Sequence, residues 1–516
     1  MPETALVVGV DIGTQSTKVL LTDAAGRILA QASESYQPDT PRPLWAEQWP
    51  QVWLDAVVRS IRRCIATADA AHVQAVCISG LYGGSGIPVD AELEPLHPCL
   101  IWLDRRAEAQ VRTIRAKTDI AQLQAITGNG IDSYYGFTKM LWLRDERPDV
   151  WARTRFLAPP NAWVIAKLTG ELAVDHSSAG NIGGIYDMNA RTWSARMLEA
   201  LGIPAAMMPE RLVGSSDIVG YLLPEWVEAT GLRAGTPIVA GGVDAAVATF
   251  AAGATRAGQH VAMIGTSMCW GTITQTVDAQ HGLISMPYVF RGATDTYTFG
   301  GAATAGGAEA WFRTQFCGAE HSQEDAGHGS AIDLLNRAAA KVAPGADGLV
   351  FLPYLAGERS PIWDGLASGS FVGLNLFHTR AHLYRAVLEG VTYALRHNID
   401  AARAAMPMLN DSLVVVGGAS KSDLWMQIIA DVTGYQVQTI KQDVECAMGS
   451  ALLAALGIGL VTEERARTGW VNLIPRASAD PGTRCIYDQR YTVFKELYPA
   501  LKASMHKLHG MPGPLV

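Results

Sequence analysis

The tripeptide Ile-Gly-Thr occurs at residues 12–14 and again half a chain later at 264–266. Each copy closes an apolar run and is followed by a segment able to form a second strand, STKVLLTD after the first and MCWGTITQ after the second. A shared tripeptide is common by chance in a long chain. Equal placement in two halves is what points to duplication. A strand–turn–strand clamp opening each half would place a bound nucleotide in the cleft between two similar α/β domains, residues 1–250 and 251–516. The length agrees, because 516 residues exceed one ordinary core of roughly 100–200 residues.

The first half reads locally. LVVGV at 6–10 is a buried strand ending at Asp11, and STKVLLTD and ILAQAS follow as a meander. QVWLDAVVRSIRRCIATA has helical spacing, and VQAVCIS is a strand. Strands and helices alternate to about residue 250, which predicts a mostly parallel sheet covered by helices. In the second half, LVVVGGASKSDLWMQIIADVTG reads as an apolar strand ending at Gly417-Gly418. A helix follows, capped by Ser422 and stopped before Gly434. Strand, glycine pair and helix N-terminus can host a nucleotide, although many α/β units turn this way.

The loop CISGLYGGSGIPVD, residues 77–90, is rich in glycine after a strand and has the look of a phosphate cradle. It lacks the rest of one. The chain contains no G-x-x-x-x-G-K-[ST] run, no G-x-G-x-x-G after the first strand and no H-E-x-x-H. What remains is acidic. Asp11 ends a buried strand beside a glycine turn, where a carboxylate needs a cation, water or hydrogen-bond donors. Asp244, in TPIVAGGVDAAVATF, falls where a helix cap and a general base are compatible readings, since a helix N-terminus favours the ionised form.

Charge and cysteines narrow the partners. The net charge of −8 argues against nucleic acid and anionic membrane. Seven scattered cysteines without a C-x-x-C pair suit a reducing cytoplasm. MPETALVVGVDIG does not read as a signal peptide, and no apolar run reads as a membrane span.

Two further segments carry a resemblance. GSFVGLNLFHTRAHLYRAVLEG, residues 369–390, and YYGFTKMLWLRDERP, from Tyr134, are similar to the two signatures of the FGGY carbohydrate kinases. The first is complete. The second keeps Lys139, Trp142 and Leu143 but has Gly136 where the family usually has Pro, Ser or Thr. PLWAEQWPQVW, IWLDRRAEA and VDHSSAGNIGGIYD resemble segments of xylulokinase-like members. The resemblance implies two actin-like ATPase (ribonuclease H-like) domains around a nucleotide and sugar cleft. It implies transfer of the ATP γ-phosphoryl group to a small sugar, with Mg²⁺.

It also implies roles. Asp244 would be the catalytic base and Asp11 the carboxylate near the magnesium. Gly13, Thr14 and Lys18 would form the first phosphate motif, and Gly265, Thr266 and Ser267 the second. Gly306 and Gly307 would lie beside the nucleotide, and Gly417, Gly418 and Ser422 would form the adenosine motif. Tyr82, Gly83, Trp102, Asp104, Tyr134 and Ala245 would line the sugar pocket with Asp244. The glycine-rich loop then faces sugar, not phosphate.

Leu81-Tyr82-Gly83-Gly84 stands where xylulokinases have Gln-Met-His-Gly. D-xylulose is the first expectation, with L-xylulose, ribulose, a ketohexose, gluconate or a polyol as alternatives. A homodimer is left open. A sugar sensor without turnover is a further alternative, opposed by the presence of both Asp11 and Asp244. An actin-like ATPase acting on a protein is opposed by the 369–390 signature.

Overall fold

The structure is a computed structural model and describes residues 5–82, 84–277, 281–325, 327, 330–406, 408–441, 446–468 and 470–509. Apolar strands build two sheets. The first contains β1 (Leu6–Ile12), β2 (Ser16–Asp23), β3 (Ile28–Ser35), β4 (Val73–Gly80), β5 (Ile218–Tyr221) and β6 (Pro237–Val239). Its order is β5-β6-β4-β1-β2-β3. The second contains β7 (His260–Ile264), β8 (Met268–Thr274), β9 (Ile284–Pro287), β10 (Thr296–Ala302), β11 (Ser412–Val416), β12 (Gln436–Ile440) and β13 (Leu473–Ala477). Its order is β9-β10-β8-β7-β11-β12-β13.

The expectation of a mostly parallel first sheet is corrected. Only β1–β4 and β4–β6 run parallel, while β1–β2, β2–β3 and β5–β6 are antiparallel. The meander at the start of the chain supplies half the sheet, and short turns can only join antiparallel neighbours.

Six of the seven strands of the second sheet repeat this plan in spatial order and pairing. β3-β2-β1-β4-β6-β5 corresponds to β10-β8-β7-β11-β12-β13, with antiparallel, antiparallel, parallel, parallel and antiparallel pairings in both. Both Ile-Gly-Thr copies sit at the equivalent turn. The Gly13 N–H donates to the Ser16 carbonyl at 2.9 Å, and the Gly265 N–H to the Ser267 carbonyl at 3.0 Å. The duplication is therefore structural and reaches well beyond a shared tripeptide.

Two helices tie the halves together. The helix Cys446–Gly457 is rich in small residues and packs its backbone directly on β1 and β4 of the first sheet. Gly9 of β1 makes that approach possible, since a Cβ there would lie 2.0 Å from the Ala447 carbonyl oxygen. Ser450 Oγ donates to Ser79 Oγ at 2.7 Å, stitching the helix to β4. The helix Asp244–Ala251 packs beside it and reaches the second sheet through Thr249 Oγ1 and the Tyr297 hydroxyl, 2.7 Å apart. Asn129, from the first half, makes paired bonds to the N–H and carbonyl of Ser285 on β9. Among the described residues, no helix is long and apolar enough to cross a membrane.

Candidate active site

Strand ends and helix starts converge between the two sheets. They enclose a cavity of about 370 Å³ lined by residues of both halves. From the first half come Asp11, Thr14, Tyr82, Trp102, Tyr134, Asn181, Asp244 and Ala245. Gly265, Thr266, Ser267 and Arg359 come from the second. A second cavity of about 550 Å³ is lined by Gly306, Gly307, Asn336, Gly418 and Ser422, among others. Gly265 and Thr266 line both, so the two spaces meet at the second Ile-Gly-Thr turn.

Asp244 is the first residue of its helix, after Val243, which occupies the cap position. The cap reading is thus corrected by one position. Its Oδ1 accepts from the Ala245 N–H at 2.7 Å. Burial pushes its carboxyl up to about 6, against the opposing pull of that N–H and of the Arg359 cation. Desolvation outweighs the pull toward the ionised form expected at a helix N-terminus, yet at about 6 the carboxyl is still ionised at neutral pH. A carboxylate with that affinity for protons is suited to accept one near neutral pH.

Asp11 sits on β1 directly across from Lys18 on β2, so both project from the same face of the hairpin. Lys18, Gly13 and Gly417 do not line either cavity. The Gly13 and Gly265 N–H groups close their own turns, and Thr14, Gly265, Thr266 and Ser267 are the turn residues that line the space. The glycine pair after β11 divides its work. Gly417, at φ 89°, would place a Cβ 2.6 Å from the Ile264 carbonyl oxygen, so it fits two strands together, whereas Gly418 faces the second cavity. Ser422 is the helix cap expected: its Oγ accepts from the Trp425 N–H at 3.2 Å. The Gly307 N–H donates to the Thr266 carbonyl at 2.9 Å, packing that helix start against the turn.

The acceptor side differs from expectation at one residue. Asp104 is fully buried and does not line the cavity. Its Oδ2 accepts from the Ala46 N–H at 2.7 Å and from Arg106 Nε at 2.8 Å, and Arg106 reaches on to Glu47 at 2.6 Å. Asp104 fixes the loop that presents Trp102. The Trp102 indole N–H donates to Thr14 Oγ1 at 3.0 Å, joining this wall of the cavity to the first turn. Lys139 is buried, donates to the carbonyls of Ser133 and Tyr134, and is pushed down to about 7 by that burial. It holds the backbone from which Tyr134 projects. Gly83 lies outside the described residues.

The glycine at position 136 has a physical reason. The Gly136 N–H donates to the Tyr82 hydroxyl. A Cβ at Gly136 would fall 2.0 Å from the Gly84 carbonyl oxygen and 3.0 Å from the Tyr82 oxygen. The Tyr82 and Tyr134 rings pack 5.0 Å apart. Tyr82, Gly84 and Gly136 thus form one unit, and two departures from the family pattern explain each other. Gly136→Thr is expected to displace Tyr82 and raise the acceptor KM by roughly 10-fold or more while leaving ADP affinity unchanged. Steady-state kinetics with ADP titration checks this.

Sequence reasoning missed Arg359 and Asn181. Arg359, in GERSPIWD, is buried and donates from Nη2 to the Met268 carbonyl at 2.8 Å. Its guanidinium lies 5.4 Å from the Trp102 ring centroid, across the cleft. No spacing rule marks it, because it enters from the other half of the chain. Cys269 and Cys446 also line the cavity. Burial holds both thiols protonated, Cys269 at about 12, so they form neutral walls rather than nucleophiles.

Comparison with known proteins agrees with this arrangement. The N-terminal domain of the FGGY family of carbohydrate kinases matches residues 6–251, and its C-terminal domain matches residues 260–458. The xylulose kinase of Escherichia coli K12 is 30% identical, covering 96% of this chain and 99% of its own. The crystal structure of a ligand-bound xylulose kinase from Lactobacillus acidophilus superposes with a TM-score of 0.89 at 26% identity, covering 98% of this chain and 100% of that one. A gluconate kinase from the same organism superposes with the same TM-score at 25% identity, covering 98% and 99%. With both halves matched, two mixed sheets of one plan and a cleft between them, the chain belongs to the FGGY family of carbohydrate kinases.

Proposed function

We propose that the chain phosphorylates a ketopentose, with D-xylulose as the first candidate, using ATP. The observation that carries this reading is the junction at Gly265 and Thr266. There the cavity holding Asp244 adjoins the cavity bounded by Gly307, Gly418 and Ser422, and Gly265 and Thr266 line both. A nucleotide in the second cavity would direct its terminal phosphate toward the first. In this reading residues 1–250 supply the acceptor wall, the first phosphate motif and the base. Residues 251–516 supply the second phosphate motif, the adenosine site and Arg359.

Asp244 takes the proton from the attacking hydroxyl. The new P–O bond forms at the sugar oxygen as the bond to the ADP oxygen breaks, so proton and phosphoryl group are both accounted for. Such transfers have a loose transition state, and the protein's work is positioning and charge stabilisation. Thr14, Thr266 and Ser267 face the transferring group. Arg359 offers a cation on the opposite wall.

Asp11 fits a magnesium ion carried by the nucleotide. Its carboxylate is a hard oxygen donor on the cavity wall, and among the described residues no cluster of three His, Cys, Asp or Glu could cage a metal alone. The ion's remaining ligands would be phosphate and water, as is usual for magnesium. When bound, it would neutralise polyphosphate charge.

Gluconate is the second reading, favoured by the Arg359 cation in the acceptor cavity, which could pair with a carboxylate. An ADP-release assay over D-xylulose, L-xylulose, D-ribulose, D-fructose, D-gluconate, xylitol and glycerol decides between them. Turnover strictly dependent on a ketopentose is the expected result. Stimulation only by gluconate selects the second reading, and no stimulation by any of them removes both.

A further inference from the structure

We propose that Asn181 is a specificity-determining residue, its carboxamide reading a donor–acceptor pair on the acceptor sugar, such as two neighbouring hydroxyls or a hydroxyl beside a carbonyl. This rests on reading the Asp244 cavity as the acceptor site.

Asn181 ends the short helix His176–Asn181 and lines the same cavity as Asp244, Tyr134 and Trp102. The residue is fully buried, yet neither Oδ1 nor Nδ2 makes a hydrogen bond. The Tyr134 hydroxyl is near enough for Asn181 to act on it as a loose hydrogen-bond donor, although the pair falls short of full hydrogen-bond geometry. A buried amide whose acceptor is unused and whose donor has only this loose contact is a destabilising feature. It makes sense where a ligand completes it. The terminal torsion of an amide is broad and soft, which leaves the side chain free to turn toward the cavity it lines.

The amide is also held in register with the base. Asp175 caps the helix by accepting from the Ser178 N–H at 2.9 Å, and it accepts from the Ser177 hydroxyl at 2.5 Å. Ser177 Oγ in turn accepts from the Val243 N–H at 3.0 Å, one residue before Asp244. One short chain of bonds therefore fixes the helix that carries Asn181 to the turn that carries Asp244. A sugar gripped by the amide would have its hydroxyl placed relative to the proton acceptor. A carboxamide offers one donor and one acceptor edge and no charge, which suits a neutral polyol.

The test compares wild type with Asn181→Leu, which is similar in size but apolar. Thermal melts are run with and without D-xylulose, D-ribulose and D-gluconate in the presence of ADP, alongside steady-state kinetics. If the amide awaits a ligand, the variant melts at or above wild type without sugar. It also loses the sugar-dependent rise in melting temperature, and its acceptor KM increases roughly tenfold or more, with the KM for ATP unchanged. A variant that melts well below wild type without sugar, or keeps the wild-type sugar KM, overturns the proposal. If leucine prevents folding, Asn181→Ala is read by its acceptor KM alone, since the cavity it leaves lowers the melting temperature by itself. A wild type that responds to none of the three sugars, by melting or by turnover, removes the acceptor-site reading itself and this inference with it. A wild type that responds, with a variant that responds equally, removes only the role of Asn181.

Discussion

Asp244→Asn lowers kcat by roughly 10²- to 10⁴-fold, the usual range for losing a general base, with the affinity for ATP preserved. The substitution keeps the shape of the side chain and removes its ability to take a proton. In the proposed reading nucleotide binding is insulated, because the second cavity is lined by Gly307, Gly418 and Ser422, none of which Asp244 hydrogen-bonds. The pH profile supplies a second readout on the same residue. The base works only when ionised, and burial raises its carboxyl from 3.8 to about 6. Wild-type kcat/KM therefore falls tenfold per pH unit below about 6, and the residual rate of the Asn variant is flat across that range. Stopped assays from pH 5 to 8 measure both. A variant with near-wild-type turnover, or one with the same acid limb, shows that another group takes the proton.

Gly9→Ala lowers the melting temperature by about 10 °C or more. The added Cβ would stand 2.0 Å from the Ala447 carbonyl oxygen and 2.4 Å from the Ala451 nitrogen, both backbone atoms of a helix that cannot yield locally. Overpacking of this severity costs about 3 kcal/mol, which in a large domain is worth about 10 °C. The helix that would be pushed away is one of the two that join the halves, so activity is lost together with stability. Gly130→Ala is the control, since a Cβ there meets nothing within 4 Å. Scanning calorimetry of the two variants separates a specific clash from a general intolerance of alanine. Equal melting temperatures would mean that the helix shifts freely on the sheet.

Both predictions concern features the sequence displays only in part. Asp244 was legible as a candidate because a carboxylate after an apolar strand and before small residues is conspicuous. Its affinity for protons was not, since the groups that bury it come from both halves of the chain. Gly9 looked like one more small residue in a strand. The reason it must be glycine lies more than four hundred positions away, in a helix whose composition alone gave no docking partner.

The acceptor wall was less legible than the phosphate side. Asp104 lies two residues after Trp102 in WLDRR, and the resemblance implied a shared role for both. The turn instead sends the carboxylate inward to Arg106 and the Ala46 N–H, leaving only the indole in the cavity. Asn181 and Arg359 carried no spacing signal, because each reaches the cleft from an element whose position is set by packing. The mixed sheet was missed for a simpler reason. Strand–helix alternation was read as a parallel rule, while the meander had already committed β1 to β3 to antiparallel neighbours.

The sequence by itself determined the local features: the strand–turn–strand clamps at 12–14 and 264–266, the Ser422 cap, and the boundaries of apolar strands. Each depends on residues within one or two turns of chain. Tertiary structure alone decided which groups share the cleft and which state of Asp244 is favoured near neutral pH. It also gave Gly136 its meaning, through the Gly84 carbonyl and the Tyr82 hydroxyl. Burial and close approach are relations between distant segments, and no short stretch of chain contains them.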